Sequence, residues 1–166
     1  MVFQRRSRTK DTWPGALDVA VGGHVRAGET IAVTVREAEE EIGLALTLSS
    51  LTPLGRRHAR AGASDNEIQD AFAVRCDRPL TEYRLHEDEV DGLVAMPLEA
   101  ALALFEGRAT SAGAVELPRG AAVQKAIDVA LRDFAAAADR DGYPPLALRG
   151  LAEVVAGTYP QPFLLR

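Results

Sequence analysis

The chain has 166 residues, 47% of them hydrophobic and 26% charged, enough to bury a core and to make one domain with a modest appendage. A single cysteine, Cys76, excludes an internal disulfide framework and any zinc site that needs two thiolates. The net charge of −5 argues against a nucleic-acid partner, but it hides a separation. Arg5, Arg6, Arg8 and Lys10 crowd the start, while residues 37–41 read EAEEE. No apolar run approaches the ~18 residues of a membrane span. The basic start lacks the apolar stretch of a secretory signal, so no membrane partner and a cytoplasmic location are expected.

In chain order, Ala16 to Val21 reads as a strand that stops at Gly22-Gly23. Thr30 is placed to cap a helix whose apolar stripe is Ile31, Val35, Ala38 and Ile42, with Gly43 as its terminating glycine. Leu46 to Leu54 and the stretch from Arg56 to Arg60 suit strands, residues 61–66 suit a loop, and Glu67 to Arg75 suits another strand. Leu93 to Met96 is a short strand, followed by a helix with Pro97 in its first turn and Gly107 at its end. Beyond Gly107 the pattern predicts helices only. Residues 108–118 look loop-like. Val123, Ile127, Ala130, Leu131 and Phe134 carry helical spacing, DRDGYPP at 139–145 breaks it, and Leu146 to Ala156 forms a last helix. Cys76 reads as a buried thiol, and Trp13-Pro14-Gly15 as a packed turn. The class is α/β or α+β with a C-terminal helical extension.

The chemistry concentrates on the first helix. Glu37, Glu40 and Glu41 stand at i, i+3 and i+4, on one face opposite the apolar stripe. Their mutual repulsion costs roughly a few tenths of a kcal/mol per pair, and a hard divalent cation removes it. Oxygen donors of this kind suit Mg²⁺ or Mn²⁺ together with phosphate oxygens. Arg36 can pair with Glu40 one turn on.

The stretch GHVRAGETIAVTVREAEEEIGL, from Gly23 to Leu44, resembles the Nudix box, G-x5-E-x7-R-E-U-x-E-E-x-G-U, where U is a bulky aliphatic residue. Gly23, Glu29, Arg36, Glu37, Glu40, Glu41, Gly43 and Leu44 take the fixed places. Six residues rather than seven separate Glu29 from Arg36, and Ala38 stands at an aliphatic position. The resemblance implies a Nudix-like α/β/α sandwich around a mixed sheet, spanning residues 1–107. It also implies a metal-dependent pyrophosphohydrolase acting on a small molecule with a diphosphate linkage, a nucleoside diphosphate derivative or another linked diphosphate. Glu37, Glu40 and Glu41 would then be catalytic and, with the Gly23 carbonyl, would hold Mg²⁺ or Mn²⁺.

Residues 5–29 further resemble the branch related to isopentenyl-diphosphate isomerases, with a basic RR-x3-K segment ahead of WPG. On that match Arg6 and Lys10 grip the diphosphate, Glu67 is a metal ligand, and His24 and Asp65 lie on the substrate side. Glu67 and the run Glu87-Asp88-Glu89 are further candidates for taking a proton. Gly22 stands where the isomerase places a cysteine, so isomerisation is the runner-up to hydrolysis, and a non-catalytic ligand-binding module is the third reading. Only Met1 to Gln4 precede the basic segment, where the family places a strand. The expectation is therefore either a start placed too late or a front short of one or two strands, the latter with a sheet edge open to pairing with another chain, as in a homodimer, or with the C-terminal region.

Overall fold

The computed structural model describes residues 1–25, 28–61, 65–135 and 142–165, without the side chains of Val33, Thr34, Arg60, Ala61, Asp65 and Asn66. Within them the elements are β1 (Val2–Arg6), β2 (Leu17–Val19), α1 (Ala32–Ile42), β3 (Thr52–Ala61), β4 (Asp65–Ala73), β5 (Val90–Ala95), α2 (Leu98–Phe105), β6 (Ala112–Pro118), β7 (Lys125–Val129), α3 (Tyr143–Val155) and β8 (Phe163–Leu165). The class is α+β, with two sheets. The chain divides into two compact units, residues 1–48 with 76–137, and residues 49–75 with 138–166. Among the described residues no helix is long and apolar enough to cross a membrane.

The first unit holds a five-stranded sheet in the order β2-β1-β5-β6-β7, antiparallel at every pairing. Alternation along the strands gives each face its own cover. Phe3 pairs in register with Val94 and so shares its face. The Phe134 ring packs edge-on against Phe3 at 4.9 Å and against Phe105 of α2 at 5.0 Å, which puts α2 over that face. Gln4 pairs with Leu93 on the opposite face. There Leu93, Val90, Leu117 and Leu80 form one buried cluster with Ile42 of α1.

The α1 helix forms much as its stripe predicts, with Ala38 and Ile42 buried. The Thr30 hydroxyl accepts the Ala32 N–H at 3.4 Å, although the residue at the cap itself is Ile31. Gly43 ends the helix at φ 67°, a left-handed conformation. It allows the N–H groups of Gly43 and Leu44 to turn back to the Glu39 and Ala38 carbonyls, both at 3.0 Å.

The second unit holds a three-stranded sheet in the order β4-β3-β8, in which β3 and β4 are antiparallel and β3 and β8 parallel. Helix α3 packs on it. The Arg57 guanidinium lies 4.0 Å over the Tyr143 ring, and Tyr143 meets Phe163 edge-on at 5.8 Å.

Several expectations are corrected. Residues 112–129 form the β6–β7 hairpin, not a loop and a helix, and among the described residues beyond Gly107 the helical elements are a short 3₁₀ turn at Leu131–Asp133 and α3. Val123, the first residue of the expected stripe, is exposed, whereas Ile127 and Val129 alternate as strand residues do. The front of the chain through Arg5 and Arg6 is itself strand β1, flanked by β2 and β5, and the rest of the basic segment follows it. Leu48–Ser50 is a short 3₁₀ turn, and the strand begins only at Thr52. Cys76 is exposed, its Sγ accepting the Tyr83 hydroxyl at 3.3 Å. Trp13 is exposed too, at φ 51°. The tip of the expected loop at 62–64 and the start of the expected break at 139–141 lie outside the described residues.

Candidate functional site

Four chain segments of the first unit bring their polar side chains to one place. Helix α1 presents Glu37, Glu40 and Glu41 on the face opposite Ala38 and Ile42. The turn after β2 brings Gly22, Gly23 and His24 alongside. A Cβ at Gly23 would lie 2.6 Å from Glu37 Cγ, so any side chain there would force Glu37 to move. The segments at 7–10 and 86–91 are stapled to each other. Ser7 N–H donates to the Glu89 carbonyl at 2.9 Å, and Arg8 N–H to Asp91 Oδ2 at 3.1 Å. His86 N–H donates to the Glu41 carbonyl at 2.8 Å, tying this loop to the end of α1.

The result is a cleft of about 460 Å³ lined by Lys10, Gly22, Gly23, His24, Glu29, Arg36, Glu37, Glu40, Glu41, His86 and Glu89. Its electrostatics centre on Glu41, which is 7% exposed. Burial, then the neighbouring Glu89 and Glu37 carboxylates, push its pKa up to about 7, against the pull of the Gly22 N–H and of Lys10. Gln4 donates from Nε2 to Glu41 Oε2 at 3.4 Å. Lys10 Nζ lies 2.5 Å from Glu89 Oε2, and Arg36 Nε lies 3.4 Å from Glu40 Oε1.

Of the residues expected at the site, Gly23, His24, Glu37, Glu40, Glu41 and Lys10 meet in this cleft. Arg6 does not line it. Its guanidinium is held by the Thr12 carbonyl and hydroxyl, both at 3.1 Å, and by Asp18 at 3.2 Å. Glu67 belongs to the second unit, on β4, where it accepts a hydrogen bond from Gln69 at 3.1 Å. Asp65 begins the same strand, and its side chain is not described. Glu89, a candidate from the acidic run Glu87-Asp88-Glu89, lines the cleft as well. His86, at the head of that run, was not singled out from the sequence. The signal was position, since the run immediately precedes the apolar strand β5 that lies at the centre of the sheet. Cys76 is not among the lining residues, so no described thiol stands in the cleft.

The donor chemistry fits a hard divalent cation, since carboxylates dominate and no sulfur is present. Two carboxylates crowd a third that is buried and short of positive charge. As the side chains stand, no three His, Cys, Asp or Glu residues among those described converge as a finished ligand set. Glu40 is exposed and Glu37 half-buried, so both can change rotamer to close on an ion.

The NUDIX domain family model matches residues 1–117. The chain belongs to the Nudix family. It is 32% identical over 102 residues to an uncharacterized Nudix hydrolase of Clostridium acetobutylicum, a match covering 60% of this chain and 50% of that protein. It is 31% identical over 107 residues to Nudix hydrolase 3 of Arabidopsis thaliana, covering 60% of this chain and 14% of that protein. A further match, 50% identical over 46 residues, is to the uncharacterized Nudix hydrolase YfcD of Escherichia coli, covering 27% of this chain and 26% of that protein. The chain thus matches about half the length of the first relative and much less of the other two. A crystal structure from Deinococcus radiodurans is 28% identical with a TM-score of 0.49, covering 64% of each chain.

Proposed function

We propose that this chain is a hydrolase of diphosphate linkages in small molecules, working with Mg²⁺ or Mn²⁺. The observation that carries the reading is the buried, high-pKa Glu41 set beside Glu37 and Glu89 in a cleft that also contains Lys10. Glu37, Glu40 and Glu41, with the Gly23 carbonyl, are the groups proposed to hold the ion. A divalent cation there supplies the positive charge that neutralises a diphosphate and acidifies water. Lys10 turns from Glu89 toward a phosphate oxygen and gives it a charge-assisted hydrogen bond. Glu89, released from Lys10, is the proposed acceptor of the proton from the attacking water. Asp65 and Glu67 of β4, and Arg6, receive no role in this step.

The deciding experiment incubates the protein with Mn²⁺ or Mg²⁺ and a panel of nucleoside diphosphate derivatives, prenyl diphosphates and other linked diphosphates. Products are identified by mass. Metal-dependent cleavage at the diphosphate supports the reading. An isomerised prenyl diphosphate, or tight binding without turnover, overturns it.

A further inference from the structure

Gln4 is a buried amide at a place where the core asks for an apolar side chain. It lies on β1, a strand flanked by β2 and β5, and is 4% exposed. Its register partner is Leu93, on the sheet face where Leu93, Val90 and Leu117 pack with Ile42 of α1. An unpaired amide in such surroundings is destabilising, and an aliphatic residue of similar volume would fill the space without that penalty. The amide does have a partner, and it is Glu41: Gln4 Nε2 donates to Glu41 Oε2 at 3.4 Å. Glu37 and Glu89 lie near Glu41 as like charges that disfavour its carboxylate. Two donors hold it in place, the Gln4 amide from the sheet side and the Gly22 N–H.

We infer that Gln4 is a positioning residue, which anchors one oxygen of the Glu41 carboxylate from the sheet side and leaves the other aimed into the cleft. It touches neither substrate nor ion. It acts by fixing the rotamer of a group proposed to hold the cation, as hydrogen-bonded partners behind a ligand generally do. The inference rests on the proposed role of Glu41.

The test is Gln4→Met, which keeps length and volume and deletes the donor. Mn²⁺ binding to the protein without substrate is read by electron paramagnetic resonance, alongside kcat, KM and Tm. The expected result is Mn²⁺ affinity about tenfold weaker or more. kcat should fall in parallel, with KM changed less than about threefold and Tm equal to or above that of the wild type. Equal Mn²⁺ affinity and kcat in Gln4→Met and wild type would overturn the inference and leave Gln4 a core amide. A fall in Tm without a change in Mn²⁺ affinity overturns it too. If the wild-type protein itself binds no Mn²⁺ and cleaves no diphosphate, it is the reading of the cleft that fails. The two failures are therefore distinct.

Discussion

Two glutamates of the first unit are nearly equally buried, Glu41 at 7% exposed and Glu116 at 5%, yet their surroundings drive them in opposite directions. Burial alone raises the pKa of both. At Glu116 burial is outweighed by hydrogen bonds and charge from Arg5 and Lys125, and its carboxyl is held below the usual range. Arg5 Nε pairs directly with it, and Lys125 Nζ lies 2.9 Å away. At Glu41 the neighbours are Glu89 and Glu37, which add to burial and bring it to about 7. A fold that wanted only stability would compensate both. The glutamate left short of cations is the one in the cleft, which is the arrangement the proposed binding of a cation there requires.

The comparison breaks most sharply in activity. Glu41→Gln should lower kcat about 100-fold or more, the scale of a lost electrostatic element in a catalytic centre. Glu116→Gln should leave kcat unchanged and lower the unfolding free energy by about 1–3 kcal/mol, because Arg5 loses its charged partner in a half-buried position. Steady-state kinetics and urea denaturation on the same two preparations read both effects. Equal loss of kcat in the two variants would dissolve the distinction.

The second difference lies in pH. Glu41 holds its proton in the folded state up to about 7, whereas the unfolded chain releases it near 4.5. Folding is therefore most favoured by this group below 4.5, and that contribution is lost as pH rises through about 7. Glu116 has the opposite sign. Its folded pKa is depressed, so its contribution is complete above the ordinary carboxylate range and is lost as pH falls through the folded value. In metal-free buffer, Glu41→Gln should raise Tm at pH 8 relative to wild type and leave it nearly the same at pH 4. Glu116→Gln should lower Tm at pH 8, with the gap closing in acid. Divalent cation at about 100 times its Kd should then stabilise the wild type by about 2.7 kcal/mol and Glu41→Gln by much less. Thermal melts across pH, with and without Mn²⁺, contain all of these comparisons.

The same pair explains what was legible in the sequence. The helix at Ala32–Ile42 and its three glutamates could be read because each side of the helix is chemically uniform, apolar on one and acidic on the other. Strands β1 and β6 could not. Their alternation is broken by charged residues at covered positions: Arg5 and Arg6 in β1, and Glu116 in β6. These charges are acceptable in the fold because they meet partners distant in sequence. Arg5 and Glu116 stand on strands separated only by β5. No local pattern announces a partner 111 residues away. Arg6, expected with Lys10 to grip the diphosphate, is already matched by Asp18, and Arg5 is matched by Glu116 of β6, within the stretch that looked loop-like. Gln4 escaped notice for a related reason: it gains its place beside Glu41 from strand pairing.

That difference between matched and available charge gives the finest test, between two cations four residues apart. Arg6 has three hydrogen bonds to Thr12 and Asp18, and its side chain is only 16% exposed. Lys10 lines the cleft, 30% exposed, with the Glu89 carboxylate as its ion-pair partner. A phosphate oxygen can outcompete one exposed carboxylate for an ammonium group far more readily than it can extract a guanidinium from three bonds. Lys10→Met should therefore raise KM for a diphosphate substrate about tenfold, the worth of one charge-assisted hydrogen bond, with a small change in Tm. Arg6→Met should leave KM unchanged and lower stability by about 1–2 kcal/mol through the loop it anchors. The reverse outcome, KM rising in Arg6→Met alone, would mean that Arg6 leaves Asp18 and Thr12 when substrate binds. The separation of structural from functional charge drawn between Glu116 and Glu41 would then not extend to the cations.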